Sequence, residues 1–257
     1  MILLVDIGNT NIKFGLADKD SILGGFVLPT DITETSDSLG LKILQMLQFN
    51  RVEPGSIQAW VVSSVVPLMD SLLKQAGQRF CHCPVYFVPD DISLGLQNKY
   101  SRPSEVGADR LTCAFAARKL YANKGLIVID FGTATTFDCV YEQDYLGGLI
   151  CPGVLSSIKA LSTQTAKLPQ INLDIQNKEL EIGRSTKDSL SQGIIFGFAS
   201  LVDGLVSKLE RKLGEDVFIL ATGGFADKIA SVCTKIQEVR PDLLLHGLKM
   251  AYYIEKG

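Results

Sequence analysis

Ile2-Leu3-Leu4-Val5-Asp6-Ile7-Gly8-Asn9-Thr10 opens the chain, and Leu126-Ile127-Val128-Ile129-Asp130-Phe131-Gly132-Thr133 repeats its pattern 124 positions later. In both stretches a short apolar run meets Asp, one further apolar residue and Gly. That is a buried strand running into a tight turn. A second pair follows in the same order, Leu23-Gly24-Gly25-x-x-x-Pro29 and Leu146-Gly147-Gly148-x-x-x-Pro152, at an offset of 123. Between them, residues 13–17 and 136–141 read as short strands. Each half thus begins with three strands joined by tight turns. Two ordered matches at nearly one offset mark an internal duplication.

Working outward, the rest alternates between helical and extended patterns. Apolar residues at three-to-four spacing predict helices over 37–49, 107–121 and 189–213. Dense Val and Trp60 make 58–66 a buried strand, and 85–88 and 217–221 read likewise. The last ends at Thr222-Gly223-Gly224, after which 225–232 turns helical. The class is α/β, mixed sheets flanked by helices. The expected organisation is two related domains, residues 1–118 and 119–257, sharing an interface around a cleft.

Composition excludes several classes. The 257 residues suit two domains at about 150 residues each. With 25 Lys+Arg against 28 Asp+Glu the net charge is −3, without the basic excess of a nucleic-acid protein. Hydrophobic content of 46% and charged content of 21% suit a folded globular chain. No run approaches the roughly 18 consecutive apolar residues of a spanning helix, so no membrane partner is expected. Residues 1–5 lack a basic leader and meet Asp6 at once, which argues against a signal peptide. A cytoplasmic setting is expected. The six cysteines, at 81, 83, 113, 139, 151 and 233, are scattered and read as reduced thiols. Cys81-His82-Cys83 lacks the further ligands of a structural zinc site, since the only other histidine is His246. In an extended segment the two thiols would share a face and pack.

Neither G-x-x-x-x-G-K-[ST] nor G-x-G-x-x-G occurs, which disfavours P-loop, Rossmann and protein-kinase sites. The duplicated loops offer another way to hold phosphate. Glycine lets the backbone turn sharply and approach a ligand. Successive N–H groups in such a turn form an anion-binding concavity, to which short hydroxyl side chains add donors. An aspartate at the strand end suits a hydrated Mg²⁺ that bridges to phosphate. Two such loops facing one another would clamp a polyphosphate. The third turn, Thr222-Gly223-Gly224, offers bare backbone to an adenine or ribose.

These duplicated loops resemble those of the actin-like ATPase superfamily, in which sugar kinases, Hsp70 and actin share two ribonuclease-H-like domains. More narrowly, the chain resembles the type III pantothenate kinases. The resemblance is carried by Asp6-Ile7-Gly8-Asn9-Thr10-Asn11, Gly107-Ala108-Asp109-Arg110, Asp130-Phe131-Gly132-Thr133-Ala134-Thr135-Thr136-Phe137-Asp138 and Gly147-Gly148-Leu149-Ile150-Cys151-Pro152-Gly153. Thr165-Ala166-Lys167-Leu168-Pro169, Gly183-Arg184-Ser185-Thr186 with Gly193-Ile194, and Ala221-Thr222-Gly223-Gly224 continue it in the family's order. Two positions depart: Arg102 precedes Pro103 where the family often has Asn, and Lys13 ends the first loop where an uncharged residue is common.

The resemblance implies ATP-dependent phosphorylation of pantothenate to 4'-phosphopantothenate, the first step of coenzyme A biosynthesis. It implies that Asp6, Ile7, Gly8, Asn9, Thr10, Asn11, Ile12 and Lys13 form the ATP phosphate loop, with Asp6 orienting Mg²⁺ through water. Thr133 also contacts ATP. Tyr100, Gly107, Ala108, Asp109, Arg110 and Thr186 contact pantothenate, and Asp109 accepts the proton. Asp130 holds a monovalent cation, K⁺ or NH₄⁺. It further implies a homodimer in which Thr186 completes the neighbouring subunit's pocket. Chemistry makes these roles coherent. Phosphoryl transfer depends on positioning and charge neutralisation. A carboxylate within reach of a primary alcohol orients it and takes its proton. In the first turn of a helix after Gly107, Asp109 would be favoured as the ionised base by the helix dipole, and Arg110 offers a fork for carboxylate or polar oxygens. The rival readings are a non-catalytic nucleotide-binding regulator or filament former, which would not need Asp109, and a kinase for another small alcohol.

Overall fold

The computed structural model describes residues 1–164, 173, 178–214 and 216–256. The Thr165–Pro169 stretch lies outside the described residues. The first half runs β1 (Ile2–Ile7), β2 (Asn11–Ala17), β3 (Ile22–Pro29), α1 (Ser36–Phe49), β4 (Ala59–Ser64), α2 (Asp70–Ala76) and β5 (Val85–Phe87). Next come β6 (Gln97–Asn98), α3 (Ala108–Leu120), β7 (Gly125–Phe131), β8 (Ala134–Tyr141) and β9 (Asp144–Pro152). The rest is α4 (Val154–Gln164), α5 (Thr186–Leu213), β10 (Val217–Gly223), α6 (Ala226–Ala230), β11 (Glu238–Val239) and α7 (Leu243–Glu255).

Two compact units form. One comprises Met1–Leu96, Ser101–Lys119 and Leu243–Gly257, the other Gln97–Tyr100 and Leu120–Asp242. The division near 119 lies beside the expected boundary, but two segments differ from it. The last helix, α7, belongs with the first unit because it packs on β1 and β4. Residues 97–100 belong with the second because β6 pairs in parallel with β9. Both are long-range pairings that no local pattern announces.

The first unit holds a five-stranded sheet of order β3-β2-β1-β4-β5, the second a six-stranded sheet of order β11-β10-β7-β8-β9-β6. Each is mixed, and each repeats one scheme. β1 pairs antiparallel with β2 and parallel with β4, as β7 does with β8 and β10. The repeat extends to an irregularity. The β2–β3 ladder shifts register between Leu16 and Ala17, and the β8–β9 ladder between Cys139 and Val140, at matching positions. The paired glycines of the motif follow each shift. Gly148 is forced, since a Cβ there would overlap the Phe137 carbonyl.

Side chains alternate across β1. Leu3, Val5 and Ile7 enter a core with Leu39, Ile43, Trp60 and Leu73. Ile2, Leu4 and Asp6 face the other way, the side that α7 covers. Because both faces are covered, β1 is a continuous apolar run rather than an alternating one. In the second unit Ile127, Ile129, Phe131 and Phe137 pack with Ile195, Phe198, Val202 and Val206 of α5. By length and composition α5 is apolar enough to cross a membrane. The absence of long uninterrupted apolar runs did not reveal this, because polar residues punctuate the helix. Its stripe from Ile194 to Val206 is nevertheless a core face.

The Cys81–Cys83 segment is not extended. Cys81 closes a helical turn and His82 adopts φ +53. Both thiols are buried and free, and no cluster of three or more His, Cys, Asp or Glu suited to a metal occurs among the described residues.

Candidate active site

In the first unit Asp6 is the penultimate residue of β1, 8% exposed, in register with Lys13 of β2 and Ser63 of β4. The Gly8 N–H donates to Asn11 O at 3.0 Å and closes the turn. Thr30 ties that turn down, its hydroxyl donating to Gly8 O at 2.6 Å and its N–H to Thr10 O at 3.0 Å. Asn9, Thr10 and Asn11 remain exposed, Gly8 and Lys13 partly so. Ile7 and Ile12 are buried at 0% and 2%. Their side chains belong to the core.

The segment before α3 comes to the end of the same sheet. The Val65 N–H donates to Ile7 O at 3.0 Å, and a Cβ on Gly107 would lie 3.2 Å from Val65 Cγ1. Asp109 folds back beside Gly107, its Oδ1 accepting the Arg110 N–H at 2.8 Å. Burial pushes the Asp109 carboxyl above the usual carboxylate range, against the smaller pull of the Arg110 N–H and guanidinium. The expectation that the helix dipole governs this group is therefore incomplete. Desolvation is the larger effect and makes Asp109 a stronger base than a surface aspartate.

In the second unit Asp130 is the penultimate residue of β7, in register with Thr136, and the Gly132 N–H donates to Ala134 O at 3.0 Å. Two glycines frame its carboxylate. A Cβ on Gly132 would stand 3.6 Å from both Asp130 oxygens, and one on Gly223, which has φ +92, would overlap Oδ1. A Cβ on Gly153 would likewise overlap the Thr133 carbonyl, which accepts the Ser156 hydroxyl at 2.8 Å. The second and third glycine turns are thus packed together around an oxygen-rich point. Thr222 is 4% exposed and its hydroxyl donates to Pro241 O at 3.3 Å, so that side chain serves the fold. Nothing lies within 4 Å of a Cβ on Gly224, which leaves open space at that step.

Tyr100 also belongs to this unit. Its N–H donates to Asn98 Oδ1 at 3.0 Å and its ring lies against Gly147, which has φ +102. Thr186 is the first residue of α5 and exposed, while Ser185 is the cap, accepting the Asp188 N–H. Sequence reasoning passed over Tyr145, Asp138 and Ser63. Asp138 lay inside a quoted motif without a role, and the other two carry no local signal.

Two mixed sheets with the same β1/β7-centred scheme, each presenting an Asp-x-Gly turn, define the actin-like ATPase and sugar-kinase fold. A ROK family glucokinase from Streptomyces griseus, in complex with glucose and AMPPNP, superposes with a TM-score of 0.56 at 13% identity, covering 98% of this chain and 99% of that one. Within that class the assignment is narrower. Residues 2–208 match the type III pantothenate kinase family model. A type III pantothenate kinase of Nitratidesulfovibrio vulgaris (strain DSM 19637 / Miyazaki F) is 51% identical over 97% of this chain and 96% of its own. One from Oleidesulfovibrio alaskensis (strain ATCC BAA-1058 / DSM 17464 / G20) is 49% identical over 100% and 98%. The chain belongs to the type III pantothenate kinase family.

Proposed function

We propose that the protein transfers the γ-phosphoryl group of ATP to the primary hydroxyl of pantothenate, giving 4'-phosphopantothenate and ADP, the first step of coenzyme A biosynthesis. The hydroxyl oxygen forms a bond to the γ-phosphorus, the bond to the bridging oxygen of ADP breaks, and the hydroxyl proton passes to Asp109. The observation that carries this reading is the Asp109 carboxyl, raised by burial and placed beside Gly107 at the start of α3. A base tuned upward takes a proton better near neutral pH.

Asp6 and the exposed Asn9–Asn11 turn, with Thr133, are the ATP contacts, and Lys13 adds a cation beside Asp6. Asp6 suits a Mg²⁺ held through water, because a lone strand-end carboxylate supplies one ligand and leaves the rest to water and phosphate. Asp130 suits K⁺ or NH₄⁺, since its carboxylate sits framed by glycines near backbone carbonyls. These ions offset the negative charge of the transferring group. Tyr100, Gly107, Ala108, Arg110 and Thr186 are the pantothenate contacts, Arg110 through its guanidinium fork. The exposed Thr186 is free of capping duty, which supports its completing the pocket of a partner subunit in a homodimer. The setting is cytoplasmic, where ATP is available.

The test is an ADP-release assay with ATP, Mg²⁺, a potassium salt and a panel of small alcohols. Turnover with pantothenate is expected; turnover of another alcohol with pantothenate inert overturns the reading.

A further inference from the structure

Asp138 of β8 is 1% exposed and Tyr145 of β9 is wholly buried, yet neither belongs to the site described above. The Tyr145 hydroxyl donates to Asp138 Oδ1 at 2.7 Å, and the Thr136 hydroxyl donates to Oδ2 at 3.2 Å. We infer that Asp138 is a positioning residue for pantothenate: through Tyr145 it holds the irregular turn of β9 on which Tyr100 is seated. This rests on the reading of Tyr100 as a pantothenate contact.

The connection runs through named bonds. Tyr145 pairs with Val140 and Gly147 with Cys139, so Leu146 is the extra residue of the bulge and Gly147 takes φ +102. A bulge bends a strand and re-aims its neighbours. On this bulge lands a segment from far upstream in the chain. Asn98 lies in register with Tyr145, and the Lys99 N–H donates to Tyr145 O at 2.9 Å. Asn98 in turn accepts the Tyr100 N–H. The Tyr100 ring edge then fills the space above Gly147, its Cδ2 and Cε2 lying 3.0 and 3.1 Å from where a Cβ would stand. Tyr145 is therefore gripped at both ends, its backbone by residue 99 and its hydroxyl by Asp138.

The two-residue strand β6 is too short to fix Tyr100 alone. A hydrogen bond sealed from water resists loosening, because a buried polar group that loses its partner finds no water to replace it. Releasing the Tyr145 hydroxyl would let the bulge and its passenger shift. A displacement of about 1 Å in a substrate-positioning group is enough to weaken a site markedly.

The experiment compares Tyr145→Phe, Asp138→Ala, the two combined, and Tyr100→Ala, each in the full chain, for kcat and for both KM values. Tyr145→Phe and Asp138→Ala are each expected to raise the pantothenate KM about tenfold, with the ATP KM and kcat within about twofold. The combined variant is expected to be no worse than Asp138→Ala alone, because each removes the Tyr145–Asp138 bond. Tyr145→Phe loses a single oxygen and carries the test if Asp138→Ala folds poorly. An unchanged pantothenate KM in Tyr145→Phe, with Tyr100→Ala raising it, overturns the inference and spares the Tyr100 assignment. An unchanged KM in Tyr100→Ala overturns both. A loss confined to kcat with altered potassium dependence would place the pair behind Asp130 and also overturn it.

Discussion

The Asp109 carboxylate occupies the space that a side chain on Gly107 would need. A Cβ built on Gly107 overlaps Asp109 Oδ1, while its next neighbour, Val65, stands at 3.2 Å. Glycine is required here for clearance, since it spares the carboxylate proposed to take the proton. Gly107→Ala should therefore fold nearly normally, because a carboxylate can swing aside, yet lose activity because it has. A kcat down about 10²-fold with Tm within a few degrees is expected; full activity would show that Asp109 works from another position.

Asp109→Asn keeps shape and the oxygen that accepts the Arg110 N–H, but removes the base. A kcat loss of about 10²–10⁴-fold is expected. In the parent protein kcat/KM should fall on the acid side with a midpoint above 3.8, the ordinary value from which burial raises this group. The variant's residual activity should lack that limb. Wild-type turnover in the variant defeats the assignment.

The same shift makes a stability prediction of definite sign. With its pKa raised in the fold, Asp109 favours folding while protonated and loses that contribution as pH rises through the folded pKa. At neutral pH, Asp109→Asn should melt at or above the parent, and that advantage should vanish below 3.8. A variant markedly less stable at neutral pH would show that the carboxylate holds the helix start together.

Asp130 and Gly223 form a similar pair. Gly223 has φ +92, and a Cβ there would meet Asp130 Oδ1 and the Phe131 backbone, which cannot swing aside. Gly223→Ala should cost about 1–3 kcal/mol for the backbone conformation and disturb cation activation. In the parent, potassium or ammonium should raise turnover over sodium at constant ionic strength with Mg²⁺ saturating, and Asp130→Asn should weaken that dependence. Equal rates in sodium and potassium would remove the cation from Asp130.

The duplication predicts unequal tolerance at matching glycines. A Cβ on Gly148 overlaps the Phe137 carbonyl, whereas one on Gly25 stands 3.2 Å from the Phe14 carbonyl. Gly148→Ala should destabilise by about 1–3 kcal/mol or more, with Gly25→Ala much milder, as read by thermal melting. Equal melting temperatures would deny the strand crowding in the second unit.

Much of this was legible from residues alone where the signal was local. Apolar runs marked β1, β4, β7 and β10 because each is buried on both faces. The paired Asp-x-Gly turns marked the ends of β1 and β7. Boundaries moved by a few residues: α5 begins at Thr186 rather than 189, since the Ser185 cap starts the helix before its apolar stripe does. The C-terminal helix α7 went unread although Leu244, Leu248 and Ala251 recur at helical spacing on its buried side.

The residues in order were enough for the duplication, the α/β class and the family, because strand burial, turn geometry and the family motifs are written over a few neighbours at a time. Folding decided what depends on residues far apart. It sent α7 back to β1, laid residues 97–100 on β9, raised the Asp109 carboxyl and sealed Asp138 against Tyr145. Each of these follows from burial and from hydrogen bonds closed across long stretches of chain. Desolvation and non-local pairing have no counterpart in local spacing, and they set how far a carboxyl is shifted and where a distant segment is seated.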